Sequence, residues 1–184
     1  MFRRKYRLRI IKILIFFFIN FYFTNLFAQT IVVVDIQHLI DSNQEYIQII
    51  KKIEKSQEIN SENLIQKEEK IKKILNDIQE SKLILSESEI NLQIENYNNE
   101  INNFQKLVDE FNFHYQNEII KIRENILKEI IILLEKYAIE KETDLILDST
   151  SYLIASNSLD ITEIIKDDLK EINLKLEYKD FEKY

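Results

Sequence analysis

The sequence predicts an α+β protein in which a small β-body carries one long antiparallel α-helical coiled-coil hairpin. Three observations carry the prediction. Two short apolar runs, Ile31-Val32-Val33-Val34 and Leu145-Ile146-Leu147, flank about a hundred residues of helical periodicity. The chain contains no Gly and no Pro, so the commonest helix breakers are missing. The second half of the helical stretch repeats its apolar residues every 3.5 positions, the signature of a coiled coil.

Residues 1–28 stand apart as a leader. Arg3, Arg4, Lys5, Arg7, Arg9 and Lys12 form a basic opening, Ile13 to Ile19 is unbroken apolar sequence, and Ala28 offers a small residue for cleavage. That is the grammar of a secretory signal peptide, and it predicts an exported chain beginning at Gln29. Asn20, Thr24 and Asn25 interrupt the apolar run before it reaches the ~20 residues of a membrane-spanning helix. Removing the leader takes away six of 25 basic residues and none of the 32 acidic ones, leaving 19 basic residues and a formal charge of −13. Arg123 is then the one arginine. Such a chain lacks the clustered cations that nucleic acid requires, and its acidity disfavours anionic membranes. With no Cys, it must be held by packing and assembly instead of disulfides.

Ile31 to Ile36 reads as a buried strand, rich in β-branched residues. Gln37 to Asp41 reads as a short helical turn, and residues 29–43 as the first part of the β-body. The hairpin is expected over 44–142. Its first leg places Ile47, Ile50, Ile53, Leu64, Ile71, Leu75, Ile78 and Leu85 on one face, but Gln57, Asn60 and Lys67 fall there too, so the seam is thin and partly polar. The tip is expected near 85–89, where Ser86 and Glu89 match a capping box. On the second leg Ile90, Ile94, Tyr97, Ile101, Phe104, Val108, Phe111 and Tyr115 alternate spacings of four and three. Ile119, Ile122, Ile126, Ile130, Leu133 and Tyr137 continue the face. Two legs of about 45 residues would each run roughly 65 Å.

The body resumes over 143–172. Asp144 to Asp148 reads as a strand, Ser149-Thr150 as a turn, and Tyr152 to Ala155 as a second strand completing a hairpin. Asp160 is expected to cap a last helix whose Ile161, Ile164, Ile165 and Leu169 share a face. Residues 173–184 read as an acidic, mobile tail. So few strands bury too little to stand alone, which points to self-association. The strand residues Ile31, Val32, Val33, Val34, Leu145, Ile146, Leu147, Tyr152, Leu153 and Ile154 are the expected oligomerisation set.

Nothing in the chain suggests an enzyme, a cofactor or a metal site. Without Gly there is no phosphate-cradling loop and no dinucleotide fingerprint. The two histidines, His38 and His114, lie far apart without ligand spacing and read as rim residues. Asp35, Asp144 and Asp148 flank the strands, where turn acids are common. The aromatic stripe Tyr97, Phe104, Phe111 and Tyr115 reads first as packing against the first leg. Where it exceeds what that leg covers, it would bind non-native chains, and these four residues are the candidate client contacts.

The ordered pieces IVVVDIQHLIDSNQEY, LILSESEI and EKETDLILDSTSYLIASNSLDITEIIKDDL resemble the Skp (OmpH-like) periplasmic chaperones over roughly residues 30–171. The closing block is the most specific part, through Asp144-Leu145-Ile146-Leu147-Asp148 and Asp160-Ile161-Thr162. The resemblance implies a homotrimer whose strands form a β-barrel shared between chains, with three helical arms around a cavity. It implies an ATP-independent holdase for unfolded outer-membrane β-barrel proteins. The chain departs from the family in two respects. Many members are basic, whereas Ser86 to Gln105 here holds four Glu and no basic residue, so contact with lipopolysaccharide or anionic lipid is not carried over. The turn after the first strand is Asp41-Ser42-Asn43, where relatives often have Gly or Pro. The alternatives are an envelope tether anchored by an uncleaved leader, which the mature N-terminus would distinguish, and a secreted effector that binds host protein.

Overall fold

The computed structural model describes residues 29–182, so the expected leader lies outside the described residues. The elements follow in the order β1 (Ile31–Val34), α1 (Ile36–Asp41), α2 (Gln44–Ser81), α3 (Glu87–Glu140), β2 (Leu145–Asp148) and α4 (Thr162–Lys170), with 3-10 turns at Ser149–Ser151 and Asn157–Leu159. About 73% of the structure is helical. The α+β expectation and the long hairpin are therefore both present.

β1 and β2 pair in parallel, with Ile31 opposite Leu145 and Val34 opposite Asp148. A parallel pair needs a crossover connection, and here the crossover is the entire hairpin. Val32, Val33 and Val34 are buried, as a strand apolar on both faces requires. On its other side β1 makes only a bridge from Val33 to Asp160, with the Ile161 amide donating to the Val33 carbonyl at 2.9 Å. The strand expected over Tyr152 to Ala155 does not form. Among the described residues no strand pairs with it, and Leu153 and Ile154 are 100% and 91% exposed.

Side-chain caps fix the starts of the helices. Asp35 Oδ1 accepts from the His38 amide at 2.9 Å and opens α1. Asn43, in the turn where relatives often have Gly or Pro, has φ −71° and caps α2 by accepting from the Tyr46 amide at 2.9 Å. α2 ends at Ser81, and the chain turns over residues 82–86. The capping box at Ser86 forms, with Glu89 accepting from the Ser86 amide at 2.9 Å. In α4 Asp160 Oδ1 accepts from the Thr162 amide at 2.8 Å, one position ahead of the capping residue Ile161. Ile165 and Leu169 are buried, whereas Ile164 is half exposed and off the packed face.

The legs are unequal. α2 has 38 residues and α3 has 54, roughly 57 and 81 Å at 1.5 Å per residue. α1, α4 and β2 pack against α3 in addition to α2. Ile122, Ile126 and Ile130 are at most 1% exposed and belong to the same core as Leu39, Ile40 and Ile165. Arg123 ties α3 to α1 through a hydrogen bond to Gln37 Oε1.

The last expectation to be corrected is the tail. Lys175, Lys179 and Lys183 balance Glu177, Asp180 and Glu182, so residues 173–184 are not acidic. Nor does the described part hang free. Ile172, Leu174, Leu176 and Tyr178 are partly buried against the core and Phe181 is fully part of it. The segment runs along the hairpin as a strap, bent at Lys175, whose φ of 47° is left-handed. Its apolar residues alternate with polar ones and turn toward the hairpin's apolar surface.

Candidate functional site

The aromatic stripe of α3 divides into two environments. Toward the tip, Tyr97 is half-buried, and Phe104 helps line a cleft of about 340 Å³ between the legs together with Ile71, Ile74 and Leu107. Nearer the body, Phe111 and Tyr115 are 4% and 1% exposed. The strap closes them off. The Phe181 ring meets Phe111 edge-on at 5.4 Å between centroids, and Phe111 meets Tyr115 in the same manner at 5.0 Å. Edge-to-face rings at such separations contribute about 0.5–1.5 kcal/mol beyond burial.

A polar knot pins the strap above these rings. Asp180 Oδ1 accepts from Tyr115 Oη at 2.9 Å, from Asn60 Nδ2 at 3.0 Å and from the Phe181 amide at 2.8 Å, and Ser56 Oγ also donates to it. Asn60 Nδ2 donates to Tyr115 Oη as well, at 2.7 Å. The helical period places Ser56 and Asn60 one turn apart on α2, facing α3. Of the polar positions that thin the first-leg seam, Asn60 thus receives the Asp180 carboxylate, joined by Ser56. Burial pushes the Asp180 pKa upward, but the donors from Ser56, Tyr115, Phe181 and Asn60 outweigh it and hold the carboxyl below its ordinary range. Burial raises the Tyr115 phenol pKa, reinforced by the adjacent Asp180 charge.

On either side of Tyr115 along α3 the strap's backbone is itself held. His114 Nε2 donates to the Lys179 carbonyl at 2.8 Å, and Glu118 Oε2 accepts from the Lys179 amide at 2.9 Å. Glu118 is only 5% exposed, and its other oxygen accepts from Lys121 Nζ at 2.7 Å. Burial works against its ionisation, but the hydrogen bonds from Lys121 and Lys179 prevail and keep its pKa lowered. His114 and Glu118 together read the carbonyl and amide of one residue, which every amino acid but proline supplies. His114, expected as a rim residue, therefore grips the strap.

At the body, the acids flanking the strands serve the backbone. Asp144 Oδ2 accepts from the Thr30 amide at 2.8 Å, and Asp148 Oδ1 from the Ile36 amide at 3.2 Å. Burial raises the Asp148 pKa, yet donors from Thr150, Ile36 and Ser149 bring it below the ordinary value. His38 lies on the surface beside Lys166 and Glu163, with Nε2 3.8 Å from the Glu163 carboxylate. Among the described residues, no group of three or more His, Cys, Asp or Glu is placed to hold a metal ion, and no helix is long and apolar enough to cross a membrane.

Of the expected oligomerisation residues, Ile31, Val32, Val33 and Val34 lie in β1 and Leu145, Ile146 and Leu147 in β2. Leu145 is 46% exposed, and among the described residues the outer edge of β2 pairs with no strand. Tyr152, Leu153 and Ile154 follow on irregular backbone beside that edge in sequence. Ser56, Asn60, His114, Glu118, Asp180 and Phe181 were missed as a functional group. The legible signal was the alternation Ile172, Leu174, Leu176, Tyr178 and the two polar residues spaced by four on the first-leg face.

Residues 30–169 match the model of a protein family described as outer membrane protein (OmpH-like). Among solved structures, the fold is similar to that of a candidate outer membrane chaperone (OmpH-like) from Caulobacter crescentus CB15. The TM-score is 0.65 at 12% identity, over 85% of this chain and 92% of that one. A comparison with curated proteins gives no significant match. The strap from Ile172 onward lies beyond the residues that the family model spans.

Proposed function

The chain belongs to the OmpH-like outer membrane protein family, and on that premise we propose that it is an ATP-independent periplasmic holdase chaperone that keeps unfolded outer-membrane β-barrel proteins soluble. The observation that carries the reading is the hairpin itself. Beyond the reach of α1, α4 and the strap, the two legs have only each other to pack against among the described residues. They carry uncovered apolar side chains to a tip where Leu83 and Ile84 are 96% and 85% exposed. Apolar surface displayed on an arm offers weak, non-directional contacts suited to chains without fixed structure.

In this proposal the leader is removed after Ala28 and the mature protein is a homotrimer whose strands build a barrel shared between chains. The unpaired edge of β2 and the exposed Leu153 and Ile154 support it, because an open edge and a neighbouring apolar segment are what a second chain can cover. Three arms would then surround a cavity, with avidity from many weak contacts. No contact with lipopolysaccharide or anionic lipid is proposed, since the exported chain carries a formal −13.

The test is direct. The purified exported protein should scatter light as a trimer, and without nucleotide it should keep a urea-diluted β-barrel membrane protein in solution. A monomeric mass, or precipitation of the client at the same rate with and without the protein, would sink the proposal.

A further inference from the structure

We infer that the groove over Phe111 and Tyr115 is a binding site for extended peptide, occupied here by the protein's own residues 172–182, and that an unfolded client strand exchanges with this strap. The exchange rests on the holdase reading; the peptide site does not. Three features of the contact look like recognition of a ligand. His114 and Glu118 grip the carbonyl and amide of Lys179, a pairing independent of side-chain identity. Asp180 is received by donors on both legs, Ser56 and Asn60 from α2 and Tyr115 from α3. Phe181 enters the core as an aromatic anchor, 8% exposed, against Phe111 and His114.

The strap pairs with no strand among the described residues, so side chains of the hairpin hold it in place of a ladder of backbone hydrogen bonds. An occupant held in this manner can leave without opening a sheet. In sequence, its alternating Ile172, Leu174, Leu176 and Tyr178 share the apolar–polar alternation of a membrane β-barrel strand, while its backbone bends at Lys175, φ 47°. The strap therefore has the chemistry of the client class proposed above. While seated it keeps the apolar groove covered, and an incoming strand of the same pattern, with an acid followed by an aromatic residue, would meet the same contacts.

The probe is a fluorescent synthetic peptide of residues 172–182, titrated into the purified protein and into its Asp180→Ala/Phe181→Ala variant, with helicity checked by circular dichroism. The variant loosens its own strap and should bind the peptide about tenfold more tightly than the parent, the effect of one or two charge-assisted contacts. A peptide carrying Asp180→Ala should bind the variant about tenfold more weakly, and adding His114→Ala to the variant should weaken binding of the unaltered peptide. Equal binding to parent and variant, or indifference to the peptide's Asp180, overturns the site. An unfolded β-barrel client should then displace the peptide. A client held in solution without displacing it overturns the exchange but not the holdase. A client that is not held at all overturns the holdase reading and, with it, the exchange, while the peptide titration still decides the site.

Discussion

Tyr115 and Asp180, 65 residues apart, meet at 2.9 Å with the phenol donating to the carboxylate, and this bond joins the buried seam of the hairpin to the strap that covers it. Replacing Tyr115 with Phe keeps the ring packing and removes the donor. The expected cost is about 1–2 kcal/mol, because Asp180 loses a donor and Asn60 an acceptor. Asp180→Ala should cost a similar amount, and the two changes should couple in a double-mutant cycle by at least ~0.5 kcal/mol. Urea unfolding of the four variants measures this, and strict additivity would mean that the bond does not contribute.

Acid should loosen the strap before it unfolds the hairpin. Asp180 and Glu118 both have folded pKa values held below their ordinary 3.8 and 4.5. A carboxyl with a depressed folded pKa stabilises fully above its unfolded pKa and loses that contribution as pH falls through the folded value. The loss therefore begins below about pH 4.5 and grows as the medium becomes more acidic. The groups facing these acids are Tyr115, His114 and Lys121 from α3, with Ser56 and Asn60 from α2. Protection of the Lys179 and Phe181 amides, taken relative to the intrinsic exchange rate at each pH, should fall over this range while protection in Ile122 to Ile130 does not. In Asp180→Asn the acid dependence at Phe181 should flatten.

The exposed segment after β2 gives a test of assembly independent of stability. Leu153→Ser with Ile154→Ser should leave helicity and melting of a single chain unchanged, since neither side chain touches the core. The mass by light scattering should fall toward one chain if these residues lie between copies. An unchanged mass would remove Leu153 and Ile154 from the interface.

Burial separates two isoleucines of the same helix. Ile126 is 0% exposed and Ile139 is 80% exposed. Ile126→Ala should cost about 2–5 kcal/mol, combining lost transfer energy with an unfilled cavity, whereas Ile139→Ala should stay within about 0.5 kcal/mol. Thermal or denaturant unfolding distinguishes them, and equal effects would contradict the assigned core.

The hairpin was legible because periodicity is a local signal. Phe104, Phe111 and Tyr115 recur at spacings that only a helix turns to one side, and Ser86 with Glu89 announced the start of α3. The β-body was legible in part. Ile31 to Val34 and Leu145 to Leu147 are strands, but nothing local states that they pair in parallel, since that depends on where a distant crossover returns the chain. Tyr152 to Ala155 has strand-like composition yet forms none here, because a strand is completed by its neighbour and not by its own residues. The candidate peptide site was the least legible. Asn60 looked like a defect in a seam, and Ser56 drew no notice, until a carboxylate 120 or more positions later came to rest on them. The strap's own pattern was present in Ile172, Leu174, Leu176 and Tyr178 but was obscured by reading residues 173–184 as acidic.

The parallel pairing of Ile31 with Leu145 also sets an order of events in time. The contact spans 114 residues, so it belongs to the slow, non-local class of folding steps. The hairpin between them closes from its own tip through neighbours in sequence and can do so first, bringing the two strands together and relieving most of the loop-closure cost. As the chain is made from its N-terminus, β1 emerges long before its partner. A four-residue strand is shorter than the six or seven residues from which cross-β stacking starts, so this chain can wait for its second half with little risk of pairing to the wrong one.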